Sequence, residues 1–165
     1  MTGTWCYRKG CDLLVRALQG TNYRLLHAGI IRDLPFPKDP NFVHLGFVDQ
    51  TKLKAIYAQA HVFVLPSREE GLALVQAQAL ACGLFLVCSN RTGGEDLGEM
   101  LEDKKLVTVV KTGDVEDLRN GIEKAVSYAI SRQGSRKDTS PSFEKLSWKA
   151  YGEKYDLFLR NWLMG

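Results

Sequence analysis

Apolar positions along this chain gather in short unbroken runs, separated by stretches of helical spacing. The runs are Tyr23–Ala28, Phe42–Leu45, His61–Leu65, Leu84–Ser89 and Leu106–Val110, rich in β-branched and aromatic residues. Between them, apolar residues recur at threes and fours over Cys11–Leu18, Thr51–Ala60, Ala73–Cys82, Glu95–Leu101 and Val115–Ile130. Val62–Leu65 and Leu84–Val87 are continuously apolar rather than alternating, the pattern of strands buried on both faces of a parallel sheet. Strand and helix signals that take turns in this way predict an α/β fold built on one doubly wound parallel sheet over residues 1–130.

Local punctuation supports these boundaries. Asp114 is placed to cap a helix opening at Val115, with Glu116 and Asp117 in its positive first turn. Asp49 or Thr51 serves the preceding helix in the same way. Pro66 ends a strand, and Gly20, Gly83 and Gly113 stand where helices stop or turns reverse. Residues 131–142, SRQGSRKDTSPS, form a polar linker whose three basic residues read as a solvated stretch rather than a binding patch. Beyond it Phe143, Leu146, Tyr151, Tyr155, Phe158, Leu159 and Trp162 mark a terminal amphipathic helix over residues 143–165. Its aromatic side either packs on the chain's own domain or belongs to a partner; an exposed patch at Trp148, Tyr151, Tyr155 or Trp162 is expected in the second case.

Composition narrows the class. The chain has 165 residues, 45% hydrophobic and 25% charged, as in soluble globular proteins, and its net charge of +3 argues against a nucleic-acid partner. No apolar run approaches a bilayer span. The N-terminus carries its charge after its apolar residues, unlike a signal peptide. Cys6, Cys11, Cys82 and Cys88 fit neither a redox pair nor a zinc knuckle, and read as reduced thiols of a cytoplasmic protein.

Three places can hold chemistry, because ligands of open parallel sheets bind beyond the carboxyl ends of the strands. The first is GTWCYRKG, residues 3–10, where Lys9 stands near a helix start that could hold phosphate. An ordinary turn lysine explains it as well, since no G-x-G-x-x-G is present. The second is HLGFVDQ, residues 44–50. The third is SREEGLALVQAQ, where Glu69 and Glu70 precede free amides at Gly71, Leu72, Ala73 and Leu74. Glu70 and Gln78, eight residues apart, share roughly one side of that segment. The plain alternative is an acidic turn capping its own helix.

The motifs RKGCDLLVRAL, YRLLHAG, FVHLGFV, AQAHVFVLPSREEGLALVQAQALACGLFLVCSN and NRTGGEDL run in one order along the chain. In that order they resemble the C-terminal, donor-binding domain of GT-B-fold retaining glycosyltransferases. This is the group 1 family that includes glycogen synthase, sucrose synthase and bacterial mannosyltransferases. The resemblance covers nearly the whole chain and implies a Rossmann-like half of a GT-B fold. It implies a nucleotide-diphosphate sugar as donor substrate, no separate cofactor and no metal.

Roles follow by position from the resemblance. Lys9, with Gly3 and Thr4 in the same loop, pairs with the donor diphosphate. Gly46, Phe47 and Val48 flank the base. Glu70 holds hydroxyls of the transferred sugar, and the amides of Gly71, Leu72, Ala73 and Leu74 meet phosphate or sugar oxygens. Lys9 and Glu70 are the catalytic pair. Three positions depart from the family pattern. Gln78 replaces a Glu that binds ribose; Thr4 stands near the position of an Arg that joins Lys9 on the diphosphate, leaving one cation for two unless Arg8 swings in; Ala73 replaces a Gly that allows close approach.

The resemblance also implies an N-terminal acceptor-binding half as partner, through which alone peripheral membrane association would arise. The isolated chain is therefore expected to fold without transferase activity. The rival reading is a non-catalytic glycosyltransferase-like interaction module that docks through its aromatic tail. A cell-surface glycan or glycolipid is the expected acceptor class.

Overall fold

The computed structural model describes residues 1–71, 73–132 and 148–164. Five strands pair in parallel; a helix follows each of them except the first, which is joined to the second by a loop. They are β1 (Leu25–His27), β2 (Phe42–His44), β3 (Val62–Leu65), β4 (Phe85–Ser89) and β5 (Val107–Val110). The helices are α1 (Cys11–Leu18), α2 (Leu53–Tyr57), α3 (Leu74–Ala81), α4 (Gly94–Met100), α5 (Val115–Ser131) and α6 (Trp148–Met164). Each expected element is present, and most are shorter than the hydrophobic run that signalled them. The segment expected to be one helix from Thr51 to Ala60 is a 3-10 turn, Gln50–Lys52, leading into α2, with Asp49 as its cap.

β4 shows why the continuous runs are strands. All five of its residues are buried, and it pairs with β3 on one edge and β5 on the other. Its side chains alternate between two helical layers. The Phe85 ring meets Tyr128 of α5 edge-on at 5.3 Å, and Val87 lies under Gly121 of α5. Cys88 faces the other way, against Gly94 of α4. Helices thus cover both faces, so the run is apolar without alternation, and its one polar residue, Ser89, is hydrogen-bonded to the Ser67 carbonyl.

The strands form two ladders rather than one. β1 pairs with β2, and β3–β4–β5 form a separate sheet. The N-terminal segment joins only the first, through Thr2 beside Ala28 and Trp5 beside Ile31. Hydrophobic patterning finds strands one at a time and carries no record of which edges meet, so this division was not visible in it.

Asp114 caps α5 as its position implied, accepting from the amides of Glu116 and Asp117 at 3.1 Å each. Asp114→Ala is expected to cost about 1 kcal/mol, or about 3 °C in melting temperature by calorimetry. The four cysteines are free. Burial pushes the Cys11 thiol up to about 12 and the Cys88 thiol up to about 11, so both are unreactive at neutral pH.

Most of the expected linker, together with Phe143 and Leu146, lies outside the described residues. So do Gln133–Ser147 as a whole, Leu72, and the side chains of Trp148 and Tyr151. On α6, Tyr155, Leu157 and Trp162 are exposed, Trp162 by 72%. No described helix is long and apolar enough to cross a membrane.

Candidate functional site

Two loops 60 residues apart in sequence are stitched together at the carboxyl ends of the strands. The loop before α1 needs Gly10 at its end, where φ is +68° and the missing Cβ leaves room for the Pro66 carbonyl. That close approach lets the Arg68 amide donate to the Arg8 carbonyl at 2.8 Å. The Arg68 side chain continues the join. It makes a two-pronged pair with Asp12 at 2.7 and 2.8 Å, donates to the Tyr7 carbonyl, and lies 3.7 Å above the Tyr7 ring. Burial alone would raise the Asp12 carboxyl, but the Arg68 guanidinium outweighs it and holds it below the usual range.

Within this frame Lys9 and Arg8 converge on one carboxylate. Lys9 Nζ bonds Glu70 Oε2, and Arg8 Nη1 lies 3.1 Å from the same oxygen and 2.8 Å from the Glu69 carbonyl. Lys9 is only 9% exposed, so its ammonium is held in place rather than waving in solvent. Glu70 is fixed from its other side, its amide donating to the Arg91 carbonyl at 3.0 Å. An unremarkable turn lysine would show none of this.

Downstream of Glu70, α3 starts without a side-chain cap. Its N-cap is Ala73, which offers only a backbone carbonyl, to the Gln76 amide at 2.9 Å. The alternative in which the acidic turn caps its own helix is therefore not what the fold adopts. Glu70 instead faces the two cations. The uncapped positive end of α3 follows, four residues on, the carboxylate that a lysine and an arginine share, a combination suited to anionic oxygens.

The remaining sequence-predicted residues lie on the neighbouring loops and on α3. Gly3 has φ at +119°, and a Cβ placed there would lie 4.0 Å from the Lys9 Cε. Gly46 sits at the end of β2 with φ at +72°, and its carbonyl accepts from the Gly29 amide at 2.8 Å. Phe47 is 80% exposed and Val48 half-buried against the core. Thr4 is half-buried and Leu74 exposed. Gln78 lies on α3, its Oε1 buried without a hydrogen-bond partner. Arg8 supplies the second positive charge that Thr4 does not.

Two residues escaped the sequence reading. Gly29 closes β1 at φ +150°, and a Cβ there would fall 1.9 Å from the Gly3 carbonyl, so the β1 loop and the Lys9 loop need glycine to pass. The strand-terminal glycine in LLHAG was the available signal. His27 is fully buried, stacks with Phe36 and His44, and meets Trp5 edge-on. Its Nε2 lies 2.8 Å from the Gly3 carbonyl, which only accepts, so Nε2 carries the proton; Nδ1 then accepts from His44 Nδ1 at 2.9 Å. Nothing in the local pattern marks a histidine that anchors a loop 24 residues away.

Burial drives the His27 imidazole down to about 4, with the Met1 amine and His44 acting in the same direction. The unfolded chain takes up this proton near 6.5 and the native one only near 4. Stability is therefore expected to fall as pH drops through that window, by up to about 3 kcal/mol. Urea midpoints between pH 7 and pH 4 test this; His27→Gln should remove its share of the loss, and the part that remains belongs to the Met1 amine, which burial drives down to about 5.

Comparison with known proteins agrees with the geometry. A family model described as glycosyl transferases group 1 matches residues 1–127. A sulfoquinovosyl transferase of Arabidopsis thaliana is 31% identical over 112 residues, 66% of this chain and 21% of that protein. An O-antigen chain mannosyltransferase of Escherichia coli is 42% identical over 64 residues, 39% of this chain and 16% of that protein. In structure, a sucrose-phosphate synthase from Thermosynechococcus elongatus aligns over 99% of this chain and 45% of its own, with TM-score 0.72 and 21% identity. The chain thus spans less than half the length of these relatives.

Proposed function

This chain belongs to the group 1 glycosyl transferases, and from that premise we propose that it is the donor-binding half of a retaining enzyme that moves a sugar from a nucleotide-diphosphate sugar to an acceptor. The observation that carries the reading is the meeting of Lys9 and Arg8 on Glu70, four residues before the uncapped start of α3.

In the ligand-free protein Glu70 neutralises one of the two cations. A donor diphosphate brings the charge to replace it. Lys9 and Arg8 then turn to phosphate oxygens, with the amides of Gly71, Ala73 and Leu74 completing the anion site. Glu70, released from both cations, accepts hydrogen bonds from sugar hydroxyls. As the sugar–phosphate bond breaks, negative charge grows on the leaving diphosphate, where fixed cations and a helix end stabilise it most. Gly46–Val48 form the rim for the base, and the free Gln78 Oε1 is an acceptor for one ribose hydroxyl.

The acceptor site belongs to a second, N-terminal half, and transfer requires both. The reading includes a cytoplasmic location, consistent with four free thiols, and a cell-surface glycan as acceptor. Isothermal titration with UDP, GDP and ADP, free and as sugar conjugates, tests the donor site. One nucleotide should bind at micromolar to millimolar concentration, more tightly as its sugar conjugate. Absence of binding for all of them at millimolar concentration overturns the proposal.

A further inference from the structure

Gln76 is a buried polar residue that the donor site does not use. It lies on α3 and is fully buried. A carboxamide in that position is costly unless its hydrogen bonds are made. Those of Gln76 go to one residue of the loop after β4. Its Nε2 donates to the Thr92 carbonyl at 2.7 Å, and its Oε1 lies 3.2 Å from the Thr92 hydroxyl. The orientation is fixed, because turning the amide over would set its oxygen against the Thr92 carbonyl. The Thr92 hydroxyl carries one proton, and its nearer acceptor is the Ser89 carbonyl at 2.8 Å. Thr92 is fully buried too.

The rest of this loop is tied as closely. The Ser89 hydroxyl donates to the Ser67 carbonyl and accepts from the Arg91 amide at 3.3 Å. Asn90 Oδ1 accepts from the hydroxyl and amide of Thr112 at 2.6 and 3.1 Å. These bonds together place one group, the Arg91 carbonyl in the peptide next to Thr92. It accepts from the Glu70 amide at 3.0 Å. The turn that carries Glu70 thus meets the loop twice, at Ser67 and at Glu70 itself. That second bond counts most with donor bound. Lys9 and Arg8 then leave the carboxylate for phosphate, and the ion pairs that hold Glu70 in the free protein are gone. The backbone bond to Arg91 remains.

We infer that Gln76 and Thr92 are positioning residues for Glu70: they lock the loop after β4 so that the Arg91 carbonyl keeps the Glu70 backbone in register with the transferred sugar. The role given to Glu70 rests on the donor-site reading above; the link from Thr92 to the Glu70 amide stands on the contacts alone. The effect belongs to the sugar and not to the diphosphate. Hydrogen bonds to hydroxyls weaken steeply with distance and angle, so a carboxylate displaced by about 1 Å loses them. Lys9 and Arg8 lie on the other loop and keep their hold on phosphate.

The test compares Thr92→Val, which keeps the shape and loses the hydroxyl, with Thr92→Ser, which keeps the hydroxyl. Amide exchange at Glu70 is read by NMR against that of Leu86 in β4. Calorimetry gives the affinities of the nucleotide that the parent chain binds, among UDP, GDP and ADP, and of its sugar conjugate. Thr92→Val should speed Glu70 exchange at least tenfold relative to Leu86. It should cut the advantage of the conjugate over the free nucleotide at least fivefold, with the free nucleotide bound within twofold of the parent. Thr92→Ser should keep both quantities near the parent values. Gln76→Met, which keeps the volume and removes the amide, takes the place of Thr92→Val if a urea melt shows the latter unfolded. Unchanged exchange at Glu70, or an undiminished preference for the conjugate, overturns the inference. An equal loss of both ligands overturns it too, as the mark of a merely structural pair. If the parent binds no nucleotide, the donor-site reading fails instead, and exchange at Glu70 alone decides whether Gln76 and Thr92 hold that residue.

Discussion

Lys9→Ala is expected to weaken nucleotide-diphosphate binding about 10- to 100-fold while leaving the fold intact. A hydrogen bond between charged groups is worth about 1.5–3 kcal/mol, and that range converts to this loss. Stability should change little, because Arg8 still holds Glu70 from 3.1 Å and Arg68 still ties the loops through Asp12. The measurement is titration calorimetry beside a urea melt of the same sample. A variant that binds as tightly as the parent would remove the amine from the site.

Gly10→Ala is expected to do the reverse, unfolding the protein far more than it alters any single ligand contact. Alanine is strained at φ +68°, and its Cβ would lie 2.1 Å from the Pro66 carbonyl oxygen, a backbone atom that cannot step aside alone. Strain and overlap together should cost about 3–5 kcal/mol, or roughly 10 °C. Gly20→Ala is the matched control. Its φ is +77°, yet nothing lies within 4 Å of the added methyl, so only the strain of about 1 kcal/mol remains. Equal losses in the two variants would show that the contact with Pro66 contributes nothing.

The fold was largely legible because two strong signals agreed. Continuous apolar runs marked strands covered on both sides, and Asp49, Asp114 and Pro66 punctuated them. Strand ends were less legible. Tyr23 and Arg24 have strand-like neighbours, but the ladder with β2 begins only at Leu25 opposite Phe42 and does not extend β1 to them. The candidate site was readable as separate residues, not as an arrangement. Lys9 and Glu70 each drew notice, but their pairing spans 61 positions, and only the close approach of Gly10 to Pro66 makes it geometrically necessary. Arg8 entered as a remote substitute for Thr4 and proved to share the Glu70 carboxylate. His27 and Gly29 were hidden for the same reason: each acts on Gly3, and sequence distance conceals that contact.

One carboxylate shared by two cations also acts as a filter on what may occupy the pocket. A simple anion such as inorganic phosphate can draw Lys9 and Arg8 away, but it strands Glu70 with no counter-ion and, at a neighbouring oxyanion, with repulsion. A molecule carrying phosphate and hydroxyls on the same frame compensates all three side chains at once. Abundant small anions are thereby held at a disadvantage, without any door having to close.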